Sequence, residues 1–176
     1  MPFSVTPNTI AIWLHLLGAV VWTGSLLVQA LIHSPLFSGV EPTQRARWSG
    51  ELTRRLMPIT WGSLVLLILT GIWNTVFNPV SSEPVTSIER LEALRRTPFG
   101  SALFIKHIFI VGTILLSGWH NFVLVPRLRR MLPTSGATLS SEAHGVLRLI
   151  SWAAAVNLLV GIGVLFFAAQ VLFSLR

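Results

Sequence analysis

Four apolar stretches dominate this chain of 176 residues, and each is long enough to cross a bilayer as a helix. Crossing requires about 20 mostly apolar residues, and the stretches cover residues 9–32, 57–77, 99–125 and 146–173. Backbone groups in hydrocarbon must satisfy one another, so segments of this kind fold as helices. The predicted fold is all-α and integral to the membrane: a four-transmembrane-helix bundle making one domain over residues 1–176. The first span is not read as a removable signal peptide, because no basic segment precedes it and its apolar run is too long. The gaps between spans are rich in Pro, Gly, Ser or Arg, as connections at a membrane surface should be. The gap from Asn78 to Pro98 holds three prolines and a short predicted helix over 87–96.

Composition narrows the function classes. Charged residues make up 11% of the chain, against about 25% in a soluble domain. The net charge of +7 comes from 12 Arg and one Lys set against six Glu and no Asp. A basic total can signal nucleic acid, but the four spans leave no soluble face on which it could gather, and a nucleic-acid partner is not expected. There is no Cys, hence no disulfide, thiolate nucleophile or Cys-based metal site. With every Glu in a loop or at a helix start, no Ser-His-acid triad forms, and no Walker-type phosphate loop is present.

The basic residues instead describe topology. Arg45, Arg47, Arg54 and Arg55 occupy the first loop; Arg127, Arg129 and Arg130 occupy the third, with Arg148 one turn into span four. In the middle loop Arg90, Arg95 and Arg96 are offset by Glu83, Glu89 and Glu92. Loops rich in Arg and Lys stay cytoplasmic, which predicts both termini on the outer side of what is expected to be a prokaryotic cytoplasmic membrane.

Ionisable side chains inside membrane spans are costly and face the bundle interior or a cavity. Here they are His15 and His33 in span one, and Lys106, His107 and His120 in span three, while His144 opens span four. At ~100° per residue, His15, Trp22, Gln29 and His33 share one stripe. Lys106, Thr113, Ser117 and His120 share another, flanked by His107 and Asn121. His107 and His120 are separated by roughly 20 Å along the axis, and His15 and His33 by roughly 27 Å. The expectation is two layers: His15, Lys106 and His107 toward the outer face, and His33, His120 and His144 toward the inner.

Two layers of imidazole in a bundle suit two b-type haems, each iron held by nitrogens from facing helices. Arg148 or Arg55 is placed to pair with haem propionates, and Trp22, on the His15 stripe, to wall a cofactor. The leading expectation is therefore a membrane b-type cytochrome with one or two haems, His15 and His107 serving the outer one and His120 with His33 or His144 the inner. It would transfer electrons to or from a quinone, a redox partner protein or a small diffusible substrate; as an enzyme it would be an oxidoreductase.

Several short motifs also resemble a known family. The run Thr97-Pro98-Phe99-Gly100, then Lys106, Asn121 and Pro126-Arg127-Leu128, is similar to the third-helix pattern of copper-resistance D (CopD) domains. Leu69-Thr70-Gly71-Ile72-Trp73-Asn74 resembles their glycine-containing second helix. His15, Trp22 and Gly24 form an H-x6-W-x-G pattern similar both to CopD proteins and to HemJ-type protoporphyrinogen oxidases. The latter have W-x-A-G and a basic residue late in helix one, where this chain has Trp22-Thr23-Gly24 and Gln29. The CopD resemblance implies copper handling; the HemJ resemblance implies haem binding, with His15 and Lys106 as the matching positions.

Copper transport therefore stands as the alternative function. Cu(I) prefers thiolates and thioethers, and the three Met (Met1, Met57 and Met131) lie away from mid-bilayer; His15, His107, His120 and His144 would serve Cu(II) instead. A HemJ-like oxidase, or a structural subunit of a larger membrane complex, is the second alternative. The bilayer is the expected partner, with a homo-oligomer or larger assembly also open.

Overall fold

The computed structural model describes residues 6–32, 39–78, 80–132 and 139–174. Among them there is helix and no strand: α1 (Pro7–Ile32), α2 (Pro42–Val76), α3 (Ile88–Arg95), α4 (Pro98–Trp119), a π-helical turn (His120–Leu124), α5 (Val125–Met131) and α6 (Ser141–Phe173). Counting α4 to α5 as one segment, four helices are long and apolar enough to cross a membrane. Their outward faces are apolar: Ile12, Leu16 and Val20 on α1, Leu115 on α4, and Leu159 and Phe166 on α6 are exposed, as a bilayer requires.

Helix starts follow from local chemistry. Ser87 caps α3 by accepting from the Arg90 amide, Thr97 caps α4 by accepting from Gly100, and Ser140 caps α6 by accepting from Ala143; each satisfies an amide that the first turn leaves unpaired. Glu41 does the same for α2, and the Thr43 backbone amide, followed by that of Gln44, holds its carboxyl below the usual range. That cap, at Glu41, lies well ahead of residue 57, the predicted start of span two. The arginine-bearing first loop is therefore largely helical. One face of the extension (Ala46, Ser49, Gly50, Thr53) is buried, while on the other Arg54 and Arg55 reach the Glu51 carboxylate at 2.7 and 2.6 Å. Pro58 is accommodated within the helix.

The π-helical turn also has a proline behind it. Pro126 lacks an N–H, and its ring would clash with the carbonyl four residues earlier in a regular helix. Widening residues 120–124 by one residue per turn moves that carbonyl aside, and the segment continues as α5.

α1 packs along α2 and also meets α6, α4 packs along α6, and α5 meets α2 and α6. At the arginine-rich end the packing is dense, with Ala46, Leu124, Leu128, Ala143, Leu147 and Ile150 all buried in one cluster. Toward the end that carries α3, the contacts of α2 with the third crossing segment give out, since they run through α5. Mid-bundle, Trp22, Leu26, Leu64 and Val164 form a second apolar cluster. Close approach fixes the register: a Cβ on Gly163 would stand 2.7 Å from the Phe109 ring, and one on Gly161 3.0 Å from Leu26.

Candidate functional site

The α3 end gathers the chemistry. His15 Nδ1 lies 2.8 Å from Thr70 Oγ1, and the Thr70 hydroxyl donates its proton to the Leu66 carbonyl at 2.6 Å. Thr70 can therefore only accept from His15, which places the imidazole proton on Nδ1 and the lone pair on Nε2. The ring lies against α2, its Cε1 3.5 Å from where a Cβ on Gly71 would stand. On α4, His107 Nδ1 lies 2.7 Å from the Leu103 carbonyl; a carbonyl only accepts, so here too the proton is on Nδ1. Both rings thus present Nε2 lone pairs, the tautomer in which a second group orients a metal-binding imidazole. His15 on α1 and Lys106 and His107 on α4, expected as an outer layer, all lie toward this end of the bundle.

The inner layer is not assembled in the same way. His33 lies outside the described residues. His120 is buried at the head of the π-helical turn, Nδ1 2.9 Å from Asn121 Oδ1. His144 is exposed near the start of α6, bonded to the Ser140 carbonyl at 3.0 Å. Register separates the two. Asn157 Nδ2 donates to Ser117 Oγ at 2.8 Å, so in antiparallel helices His120 lies level with Ala154, and His144 is about 15 Å further along the axis. Side chains lean toward the N-terminus of their own helix, which carries these two further apart. Nitrogens on opposite sides of one metal ion are only roughly 4 Å apart. Arg148 is exposed, and Trp22 is built into the mid-bundle apolar cluster. Among the described residues no group of three or more His, Cys, Asp or Glu forms a metal-binding set, so any metal at the α3 end would have at most two imidazoles and would complete its shell from Lys106, water or a ligand.

Above the site, α3 roofs a cavity of about 850 Å³. Its walls are Ile72, Thr75 and Val76 of α2, Ile88 and Leu91 of α3, and Leu103, Phe104 and His107 of α4. The T-P-F-G turn makes this roof: a Cβ on Gly100 would stand 1.9 Å from the Leu94 carbonyl, so only glycine lets the end of α3 sit on the start of α4.

The family model for Copper resistance protein D matches residues 50–171. The chain belongs to the CopD family. No curated protein and no solved structure matches it. The matched residues include Thr70, Gly100, Lys106, His107 and His120, while His15 on α1 lies ahead of them. Sequence reasoning overlooked Thr70 as the orienting partner of His15, although a hydroxyl in the run Leu67-Ile68-Leu69-Thr70 is itself an intramembrane polar signal. It also overlooked the Asn157–Ser117 bond, for which the isolated Asn in span four was the sign. The cavity had no sequence signal, because its walls are ordinary apolar residues on three different helices.

Proposed function

We propose that this CopD-family membrane protein handles copper, taking Cu(II) at its α3 end through His15 and His107, with that end on the outer side of a prokaryotic cytoplasmic membrane. The observation that carries the reading is the pair of oriented imidazoles: Thr70 and the Leu103 carbonyl each hold an Nδ1 proton and turn an Nε2 lone pair outward. Imidazole nitrogen suits Cu(II), whereas Cu(I) asks for the sulfur ligands this end lacks. Family membership supports the same metal. Lys106 tunes the site through its charge, raising the cost of a second cation there. Below the site the Trp22, Leu26, Leu64 and Val164 cluster closes the bundle axis, so the residues hold and orient the ion at one face, and passage inward requires the helices to move.

The test is a titration of metal-free protein in detergent with Cu2+, followed by electron paramagnetic resonance. One ion with hyperfine splitting from two nitrogens is expected, and its affinity should fall about 10- to 100-fold in His15→Ala and His107→Ala. Binding unchanged in both variants would overturn the assignment. So would a Soret band in protein from haem-replete cells that disappears in the same two variants, which would put a b-type haem on these residues instead.

A further inference from the structure

The cavity beneath α3 has a chemistry that copper does not use. Its walls are apolar and open toward the lipid, with Ile72, Ile88, Leu91 and Phe104 exposed at its edges. Pockets of roughly 300–1,000 Å³, apolar with a few convergent polar groups, are the usual form of a small-molecule site, and this one falls within that range. The polar groups that line the cavity from α2 and α4, Thr75 and His107, share one sense. His107 has its Nδ1 proton committed to Leu103, so its neutral ring offers the cavity only an acceptor, Nε2. The Thr75 hydroxyl is committed as donor to the Gly71 carbonyl at 2.8 Å, and it too offers only an acceptor. Donors stand at the rim, where the Arg95 guanidinium sits 5.2 Å over the Phe104 ring.

An apolar hole with acceptors at its polar end selects an amphiphile whose head donates a hydrogen bond. An acceptor that faces hydrocarbon without a donor costs free energy, and that cost discriminates against a head that cannot donate. The phosphate and ester groups of a phospholipid only accept hydrogen bonds, so Arg95 at the rim would meet them but His107 and Thr75 would not. A flat hydroxyaromatic head also stacks favourably against Phe104. We infer that the cavity roofed by α3 binds a phenol-headed amphiphile, the class to which membrane hydroquinones belong, with its hydroxyl donating to His107 and its tail directed into the bilayer. This inference does not rest on copper being the cargo. It shares His107 Nε2 with the proposed copper site, so metal and hydroxyl exclude one another at that nitrogen.

Para-heptylphenol and its methyl ether separate the outcomes, because they share shape and tail while only the phenol can donate. Both are titrated calorimetrically into metal-free wild-type protein in detergent with a chelator present, which keeps the result independent of the copper test. The phenol should bind about tenfold more tightly, equivalent to ~1.4 kcal/mol. His107→Leu should reduce that preference to less than about twofold, and Leu91→Trp, which fills the cavity, should abolish binding of both. Equal affinity for phenol and ether in the wild type would make the cavity a general acyl-chain slot and overturn the inference, as would binding of neither. A preference retained in His107→Leu, or binding retained in Leu91→Trp, would overturn it as well. The wild-type comparison stands even if a variant fails to fold.

Discussion

The two ends of this bundle are built by opposite rules. At the arginine-rich end α2, α5 and α6 close on one another, and Ala46, Leu128, Leu147 and Ile150 are sealed at 0–2% exposure. Toward the α3 end the contacts of α2 with the third crossing segment give out, and a cavity remains under a helix of eight residues. Dense packing supplies rigidity, and the open half supplies places for ligands. On the proposed function, stability and ligand binding are divided along the membrane normal: the closed half anchors the helices while the open half carries His15 and His107.

That division can be broken by experiment. Truncation should expose it most sharply: Ile150→Ala leaves a void among sealed neighbours and should cost about 2–5 kcal/mol. Leu91→Ala, on the half-exposed roof, should cost less than about 0.5 kcal/mol; comparable losses in reversible detergent unfolding would refute the contrast. Next in size is Gly100→Ala, whose methyl cannot coexist with the Leu94 carbonyl. Overpacking of this kind should cost about 1–3 kcal/mol, and hydrogen exchange should show α3 released while residues of α6 keep their protection. Thr70→Val keeps the shape of the side chain but removes the acceptor for His15. Copper affinity should fall about tenfold with the unfolding midpoint little changed, whereas a purely structural role for Thr70 would move the midpoint and spare the affinity. The smallest effect is expected from Arg127→Gln. Its 2.8 Å pair with Glu142 joins α5 to α6 at exposed positions, and such pairs contribute about 0–1 kcal/mol; a larger loss would mean that the closed half depends on its surface charges.

Particular residues show why some of this was legible in advance. His15 and His107 each lie a little over two turns into parallel helices, and depth in a membrane follows almost directly from position in a span, so spacing alone places both toward the same end of the bundle. His120 and His144 lie on antiparallel helices joined by a loop, where depth depends on where each helix begins. α6 starts at Ser141 and the Ser117–Asn157 bond sets its register, and those two facts separate a pair that spacing by itself had placed together. The start of α2 misled for a related reason. Arginine marks a membrane surface, but arginine is also a good helix former, and hydropathy reports where lipid ends rather than where helix ends.

Apolar length was enough to require four crossing helices, because unpaired backbone groups cannot be left in hydrocarbon. Caps at Ser87, Thr97 and Ser140 were local chemistry and were equally determined by the chain. What each imidazole bonds to, which tautomer it adopts, and where the bundle stays open were decided only in three dimensions. Each of those depends on a partner far away in the chain or on a register between helices: Thr70 for His15, α3 for the cavity, Asn157 for Ser117. Periodicity assigns a residue to a face, and only packing says what that face meets.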